Sequence, residues 1–414
     1  GTGAPPVENA TILVRGGRII AVGPSSAIPT PRGAEVIDLA GRTIIPGMIN
    51  AHGHVGDTRG LQAGQYSARN VEDQLRLYAR YGITTVYGLG GDQAAALPIR
   101  ARRDSATLDH ARLYIAGTVV AAPTADEARG MIDQNAALSP DIVKIRVDDN
   151  LGTAQKMPAA AYGPAIEYAH QKGLRVASHL YYLDDAKSLL RSGVDFLAHS
   201  LRDRAVDDEL IGLMKERGVC YCPTLMREVS TYVYETTPAF FHDPFFLVEA
   251  DTAVLAQLED RARQRRIRSD RAAQSYKRGL PLAKRNLKAL SDAGVKIAMG
   301  TDTGPPGRFQ GYFEHLELEQ MVDAGLTPMQ ALMAATGDAA QCLADRLVAL
   351  EAAPNVGVLK GLTDVGTLEE GKWADFVVLR ADPLQDIRNT RAIESVWIAG
   401  NRVPARSGAT AAGS

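Results

Sequence analysis

The sequence predicts a parallel (β/α)₈ barrel, because short apolar, β-branched runs recur along the chain and each is followed by a stretch with helical periodicity. The two ends stand apart from this rhythm. Ala10 to Ile45 and Ala374 to Arg402 read as short strands with tight Gly turns, and the ends of a compact fold lie close enough to pair into one small sheet domain. A length of 414 residues accommodates a large barrel with additions. Hydrophobic residues at 45% and charged residues at 23% exclude global disorder, and a formal charge of -2 supplies no field toward nucleic acid or an anionic membrane. No uninterrupted apolar run approaches the ~18 residues a membrane span requires, so a soluble protein is expected.

Taken in order, the predicted barrel strands are Thr43 to Ala51, Ile83 to Leu89, Arg112 to Gly117, Asp141 to Val147, Leu174 to Ser178, Val194 to Ala198, Gly218 to Tyr221 and Val295 to Gly300. Helix signals lie between them: Asn70-Val-Glu-Asp-Gln-Leu opens a run toward Tyr81, Pro158 one to Lys172, and Asp184-Asp-Ala one to Ser192. The stretch from Thr224 to Lys288 is too long for a plain connection. Within it, Arg261 to Arg278 carries seven Arg and one Lys with Asp260 and Asp270 nearby and no aromatic platform, which reads as a solvated or subunit-contacting helix face. Phe240, Phe241, Phe245 and Phe246, read as exposed, suggest a subunit contact or a lid, and hence a homo-oligomer. Three cysteines form no disulfide framework, and Cys220-Tyr-Cys222 reads as two small buried residues on one strand face.

Four of the eight histidines fall at predicted strand C-termini, the end of such a barrel that forms the catalytic mouth. His52 and His54 follow strand one, and alternation puts both imidazoles on one side; His179 follows strand five and His199 strand six. Pro46-Gly-Met-Ile-Asn-Ala-His-Gly-His therefore reads as half of a metal site. Lys144 is a cation inside an apolar strand, where an unpaired charge is expensive, and Asp302 sits just past strand eight. The competing role for Lys144 is a structural ion pair with Asp141 or Asp148. Gly88-Leu-Gly-Gly lacks the surroundings of a phosphate loop and reads as a turn.

These motifs resemble the amidohydrolase superfamily, in its imidazolonepropionase-like, prolidase-like branch. The likeness runs through Ile45-Pro-Gly-Met-Ile-Asn-Ala-His-Gly-His, Gly82-Ile-Thr-Thr-Val, Asp141-Ile-Val-Lys-Ile, Val176-Ala-Ser-His, Gly193-Val-Asp-Phe-Leu-Ala-His-Ser, Gly300-Thr-Asp and Gly366-Thr-Leu-Glu-Glu-Gly-Lys-Trp-Ala-Asp-Phe-Val-Val-Leu. It implies a TIM barrel over 46–349, with the long helical excursion at 224–288, and a composite β-sandwich from 1–45 and 350–414. The resemblance also implies one more strand ahead of Gly1-Thr-Gly, so a start truncated relative to the family is expected and the compartment, cytoplasmic or exported, stays open.

By the same resemblance, His52, His54 and Asp302 take a first divalent metal, His179 and His199 a second, and Lys144 bridges them as an N-carboxylated lysine. Imidazoles and hard oxygens suit Zn²⁺, and a water shared between two such ions ionises near neutral pH. Asp302 is then the proton shuttle and Tyr181 a candidate donor to the carbonyl oxygen, with Tyr182 pointing elsewhere. The implied activity is hydrolysis of a C–N amide bond in a dipeptide, an N-acyl amino acid or an aromatic amide such as a mycotoxin. The alternatives are a lactonase or cyclic amide hydrolase and a mononuclear deaminase. The deaminase fits less well, since His179-Leu-Tyr-Tyr-Leu lacks the Glu or Gln of that group and Lys144 is present. A substrate carboxylate would need one of Arg59, Arg69, Arg202, Arg227 or Arg308.

Overall fold

The computed structural model describes residues 1–344 and 360–405, so the expected domain boundary at 349–350 lies outside the described residues. The chain begins with an antiparallel hairpin of β1 (Ala10–Arg15) and β2 (Arg18–Pro24). The next apolar run, predicted as a single strand from Thr43 to Ala51, is two: β3 (Thr43–Pro46) and β4 (Met48–Gly53), which belong to different sheets. The division falls at Gly47, where a Cβ would lie 2.1 Å from Thr84 Oγ1, so only a glycine lets the chain pass this close.

β4, β5 (Ile83–Gly88) and β6 (Arg112–Tyr114) form one parallel sheet; β7 (Val143–Val147), β8 (Val176–Leu180), β9 (Phe196–Ala198) and β10 (Cys220–Cys222) form another. Backbone hydrogen bonds join the two at both seams. On one side Val120 N–H donates to the Lys144 carbonyl at 2.8 Å, and Arg146 N–H returns to Val120 at 3.0 Å. On the other, Tyr221 N–H donates to Lys296 at 3.0 Å, and Ala51 N–H donates to Met299 at 2.8 Å. The expected eighth strand, Val295 to Gly300, makes these bonds without becoming a regular strand. It bends through Gly300 and the left-handed Asp302, φ 59°, to pass across the end of β4.

Apolar side chains from these strands fill the barrel, among them Ile49, Ala51, Tyr87, Tyr114, Ala177, Phe196 and Ala298, and the helix Gly337–Leu343 packs into the same cluster. Cys342 on that helix is disulfide-bonded to Cys220, with Cα atoms 5.8 Å apart, which corrects the reading of Cys220 as an unbonded buried residue. Cys222, one turn of the pleat further on, is free and buried. A second antiparallel sheet runs β13 (Asn401–Arg402), β12 (Ile393–Ile398), β11 (Phe376–Leu379) and then β3, so strands from both ends of the chain share it. Arg112, buried in β6, ties this sheet to the barrel by two hydrogen bonds to Asp375, at 2.7 and 3.0 Å.

The excursion after β10 is helical: Leu225–Tyr232, Pro244–Leu247, Thr252–Leu258, Arg261–Ser269 and Arg271–Asp292. Phe241 and Phe246 are buried, and Phe240 and Phe245 pack beside them against Phe309, Tyr312 and Phe313, so the four rings are an internal cluster, not the exposed patch expected. The Arg-rich helix Arg261–Ser269 buries no residue, as a solvated face requires. Among the described residues, no helix is long and apolar enough to cross a membrane.

The Cys220–Cys342 bond predicts that protein denatured without reductant titrates one thiol, Cys222, and three after reduction. Its removal by Cys220→Ala should cost about 2–4 kcal/mol in chemical denaturation. Three reactive thiols before reduction, in protein purified from an oxidising environment, would contradict the bond.

Candidate active site

The alternation of β4, the start of β7 and the C-terminal ends of β8 and β9 bring His52, Lys144, His179 and His199 to one place. His52 and His199 have ring centroids 4.5 Å apart, and His179 and His199 4.0 Å. Lys144 Nζ, buried, lies 3.4 Å from His52 Nε2. Asp302 reaches the group from the closing segment: its N–H donates to the His52 carbonyl at 2.7 Å, and its Oδ1 lies 2.7 Å from His54 Nε2 and 3.5 Å from His52 Nε2. At Gly300 a Cβ would sit 2.5 Å from Cys222 Sγ and 2.8 Å from His52 Cβ, so this approach depends on glycine. All six expected metal ligands are thus in one cluster, floored by His52 and His199 and open toward His54, His179 and Asp302.

Three of the four imidazoles are oriented by their other nitrogen, while His52 Nδ1 has no partner among the described residues. His54 Nδ1–H donates to the Gly90 carbonyl at 2.8 Å, His179 Nε2–H to Asp148 Oδ2 at 2.7 Å, and His199 Nδ1 meets Thr224 Oγ1 at 2.9 Å. With its proton on Nδ1, His54 presents a lone pair to the Asp302 carboxylate. Two acceptors at that distance require a cation, a proton or a metal ion, and one ligand atom each from His52, His54 and Asp302 lie within 4.8 Å of one another. The donor set therefore fits a divalent metal.

Electrostatics agree with neutral, ligating imidazoles at His52, His179 and His199. Burial and the Lys144 charge hold His52 well below the ordinary histidine range, and burial with His179 and His52 does the same to His199. His179 is pushed down to about 3 by burial, outweighing Asp148. For His54, burial is overcome by Asp302, and its pKa is raised. Burial lowers Lys144 to about 8, with Asp302 opposing. Neither carboxylate offered as its ion-pair partner is available: Asp141 is held by Arg100 and Arg103, at 2.6 and 2.8 Å, and Asp148 by His179.

Other predicted residues divide. Tyr181 packs its ring on Arg202, whereas Tyr182 turns to donate to Asp149 at 3.0 Å. Arg308 is hydrogen-bonded to Asp302, and Arg69 is exposed beside Asp73. Sequence reasoning missed the support behind the cluster. Glu314 Oε1 accepts from Asn50 Nδ2 at 2.6 Å and from the Thr301 and Thr303 hydroxyls, both at 2.7 Å, while Asn50 Oδ1 accepts the His52 N–H at 3.0 Å. This one buried carboxyl pins the His52 strand to the Asp302 segment. Glu317, on the same helix Tyr312–Asp323, accepts the N–H groups of Leu225 and Met226 at 2.8 and 2.6 Å. No local motif marks either acid; Asn50, inside the His-bearing run, was the available signal.

The chain is similar to known proteins in sequence and fold. The model of the amidohydrolase family matches residues 43–347, and the chain belongs to that family. It is 26% identical to an imidazolonepropionase of Deinococcus radiodurans over 414 residues, covering 95% of this chain and 92% of that protein. It is 27% identical over 299 residues to an ochratoxinase of Aspergillus niger, covering 69% of this chain and 51% of the relative, about half its length. A solved structure described as a putative prolidase from Bifidobacterium longum superposes with a TM-score of 0.72 at 26% identity, covering 95% of this chain and 89% of the other. The chain is a metal-dependent amidohydrolase of the branch these relatives mark out.

Burial raises Glu314 to about 7 and Glu317 to about 8, against some lowering by their hydrogen-bond donors. A carboxyl whose folded pKa exceeds its unfolded value binds its proton more tightly when folded, so its contribution is present at low pH and lost as pH rises through the folded value. The contribution of these two carboxyls should therefore fall from about pH 5 to about pH 9, so over that range the wild type should lose stability relative to the double variant Glu314→Gln, Glu317→Gln. Equal slopes in the two proteins, measured by denaturant titration, would contradict the assignment.

Proposed function

We propose that this family member hydrolyses a C–N amide bond of a small molecule, using two divalent cations, Zn²⁺ the best match to the donors. His52, His54 and Asp302 would hold one, His179 and His199 the other, with Lys144 bridging them as a carbamate. Lys144 carries the reading. It is buried 3.4 Å from His52 Nε2, its charge acts on His179 and His199, and the acids nearest in sequence are committed to other partners. An amine depressed to about 8 is partly unprotonated near neutral pH. Its nitrogen can attack CO₂, lose a proton and become a carboxylate analogue, which removes a buried cation and supplies an anionic bridge.

Two ions bound there would supply Lewis acidity and ionise water near neutral pH. The chain's own groups then divide the work. The Asp302 carboxylate receives a proton during attack on the amide and passes it to the departing nitrogen, so the leaving group departs as an amine. Tyr181, at the rim, donates toward the amide oxygen as it gains negative charge. Asp148, Gly90 and Thr224 keep the imidazoles aimed, so little reorganisation accompanies the reaction. Dipeptides, N-acyl amino acids and aromatic amides such as a mycotoxin are the substrate classes proposed, in keeping with the prolidase and ochratoxinase names of two relatives.

A hydrolysis screen of N-acyl amino acids and dipeptides, with Zn²⁺ and bicarbonate supplied, tests the activity; turnover of none of them would remove it. Elemental analysis should find two ions per chain. Lys144→Ala should lose metal and activity and regain part of the activity with added short carboxylic acids, which can occupy the bridge, whereas Lys144→Arg should not respond. Full metal content and near-normal turnover in Lys144→Ala would assign the lysine a structural role.

A further inference from the structure

We propose that Asp92 is a positioning residue for the first ion: it anchors the turn after β5 whose Gly90 carbonyl aims His54, and so governs how tightly His52, His54 and Asp302 hold their metal; this rests on the two-ion reading above. The stretch Gly88-Leu-Gly-Gly-Asp is strung between the ends of three strands. Leu89 N–H donates to the Gly53 carbonyl at the end of β4, at 3.1 Å. Gly90 then turns with φ 127°, and its carbonyl accepts His54 Nδ1–H at 2.8 Å. Asp92 Oδ2 closes the turn by accepting the N–H groups of Ala116 and Gly117, just past β6, at 2.9 and 3.1 Å. The peptide that orients His54 is therefore fixed on one side by Gly53 and on the other by Asp92.

The absence of side chains at two positions makes room for this arrangement. A Cβ at Gly88 would lie 2.7 Å from Asp92 Oδ1, and one at Gly90 would lie 2.4 Å from Val119 Cγ2. The carboxylate thus rests over a spot that only glycine leaves open. Asp92 is 2% exposed, and its Oδ1 has no hydrogen-bond partner among the described residues. Burial disfavours its charge, whereas the Ala116 and Gly117 N–H groups and His54 favour it. A carboxylate buried with half its acceptor capacity unused is costly unless positive charge lies close by, and here that charge is the one on His54 or on an ion that His54 would hold. Asp92 therefore acts on His54 in two ways, through the turn that aims the ring and through a fixed negative charge behind it. His179 and His199 have separate supports, Asp148 and Thr224, and the turn reaches neither of these hydrogen bonds. The effect of Asp92 is accordingly confined to the first ion.

The test is Zn²⁺ titration of the metal-stripped protein in competition with a chromophoric chelator, in two backgrounds. His199→Ala leaves the ligands of the first ion, and Asp302→Ala leaves those of the second. Asp92→Ala should weaken Zn²⁺ binding by about 10- to 100-fold in the first background and leave it unchanged in the second. Gly88→Ala, whose Cβ displaces the carboxylate without touching a ligand, should show the same selectivity. Asp92→Asn keeps an oxygen for both N–H groups and loses the charge, so its affinity should fall between wild type and Asp92→Ala. Cobalt(II) in the first site adds a signature that a general loss of stability would not give: the paramagnetically shifted His54 Nδ1–H proton should exchange with water faster in Asp92→Ala and Gly88→Ala. A wild type that binds one ion, with an affinity that still depends on Asp92, would remove the two-ion reading and keep the positioning role. Equal weakening in both backgrounds, or none in the first, would overturn the positioning role.

Discussion

The burial of the Lys144 amine among imidazoles, with no acid of its own, is the constraint on which the rest of the site depends. An ammonium taken out of water costs several kcal/mol unless a partner offsets it, and here the adjacent acids face other groups. Arg100 and Arg103 hold Asp141, and His179 holds Asp148, so the lysine is left beside His52, with the Asp302 carboxylate acting on it. A lysine kept in that condition has its charged form disfavoured. His52, His179 and His199 fit the same condition, since burial disfavours their charged forms and leaves lone pairs for ligation.

Holding such a cluster takes structure that does no chemistry itself. Asn50 and Glu314 fasten β4 to the segment carrying Asp302, and Glu317 fixes the first N–H groups of the helix that carries Arg227. His199, Thr224 and Asp302 all adopt positive φ, at 79°, 47° and 59°, conformations unfavourable for such residues. Three of them at the mouth of one barrel mark where surrounding packing imposes a geometry that the local chain does not favour. The helix Gly337–Leu343, bonded through Cys342 to Cys220, braces the other end of the same interior.

Periodicity made seven of the barrel strands legible, because each is an apolar run interrupted by an amphipathic helix. The eighth was legible as sequence and not as geometry, since its bend is set by Gly300 and Asp302 meeting His52 across the barrel. The six clustered residues could be read because histidines are few and four of them fall at strand ends. Asp148 drew attention only as a candidate partner for Lys144, and its bond to His179 depends on where β8 places that ring. Glu314, Tyr276 and the Cys220–Cys342 pair act across 264, 74 and 122 residues of chain, on Asn50, Arg202 and each other, and no spacing rule connects such positions. The splitting of Thr43 to Ala51 turned on the size of one side chain at position 47, beside Thr84.

Carbon-13 NMR of the metal-loaded protein equilibrated with ¹³C-bicarbonate tests the central claim most directly. The account predicts one carbamate resonance per chain, absent from Lys144→Arg and lost when the metal is removed and the protein is dialysed at acid pH. A fully active, metal-loaded enzyme with no such resonance, or with one that persists in Lys144→Arg, would contradict it.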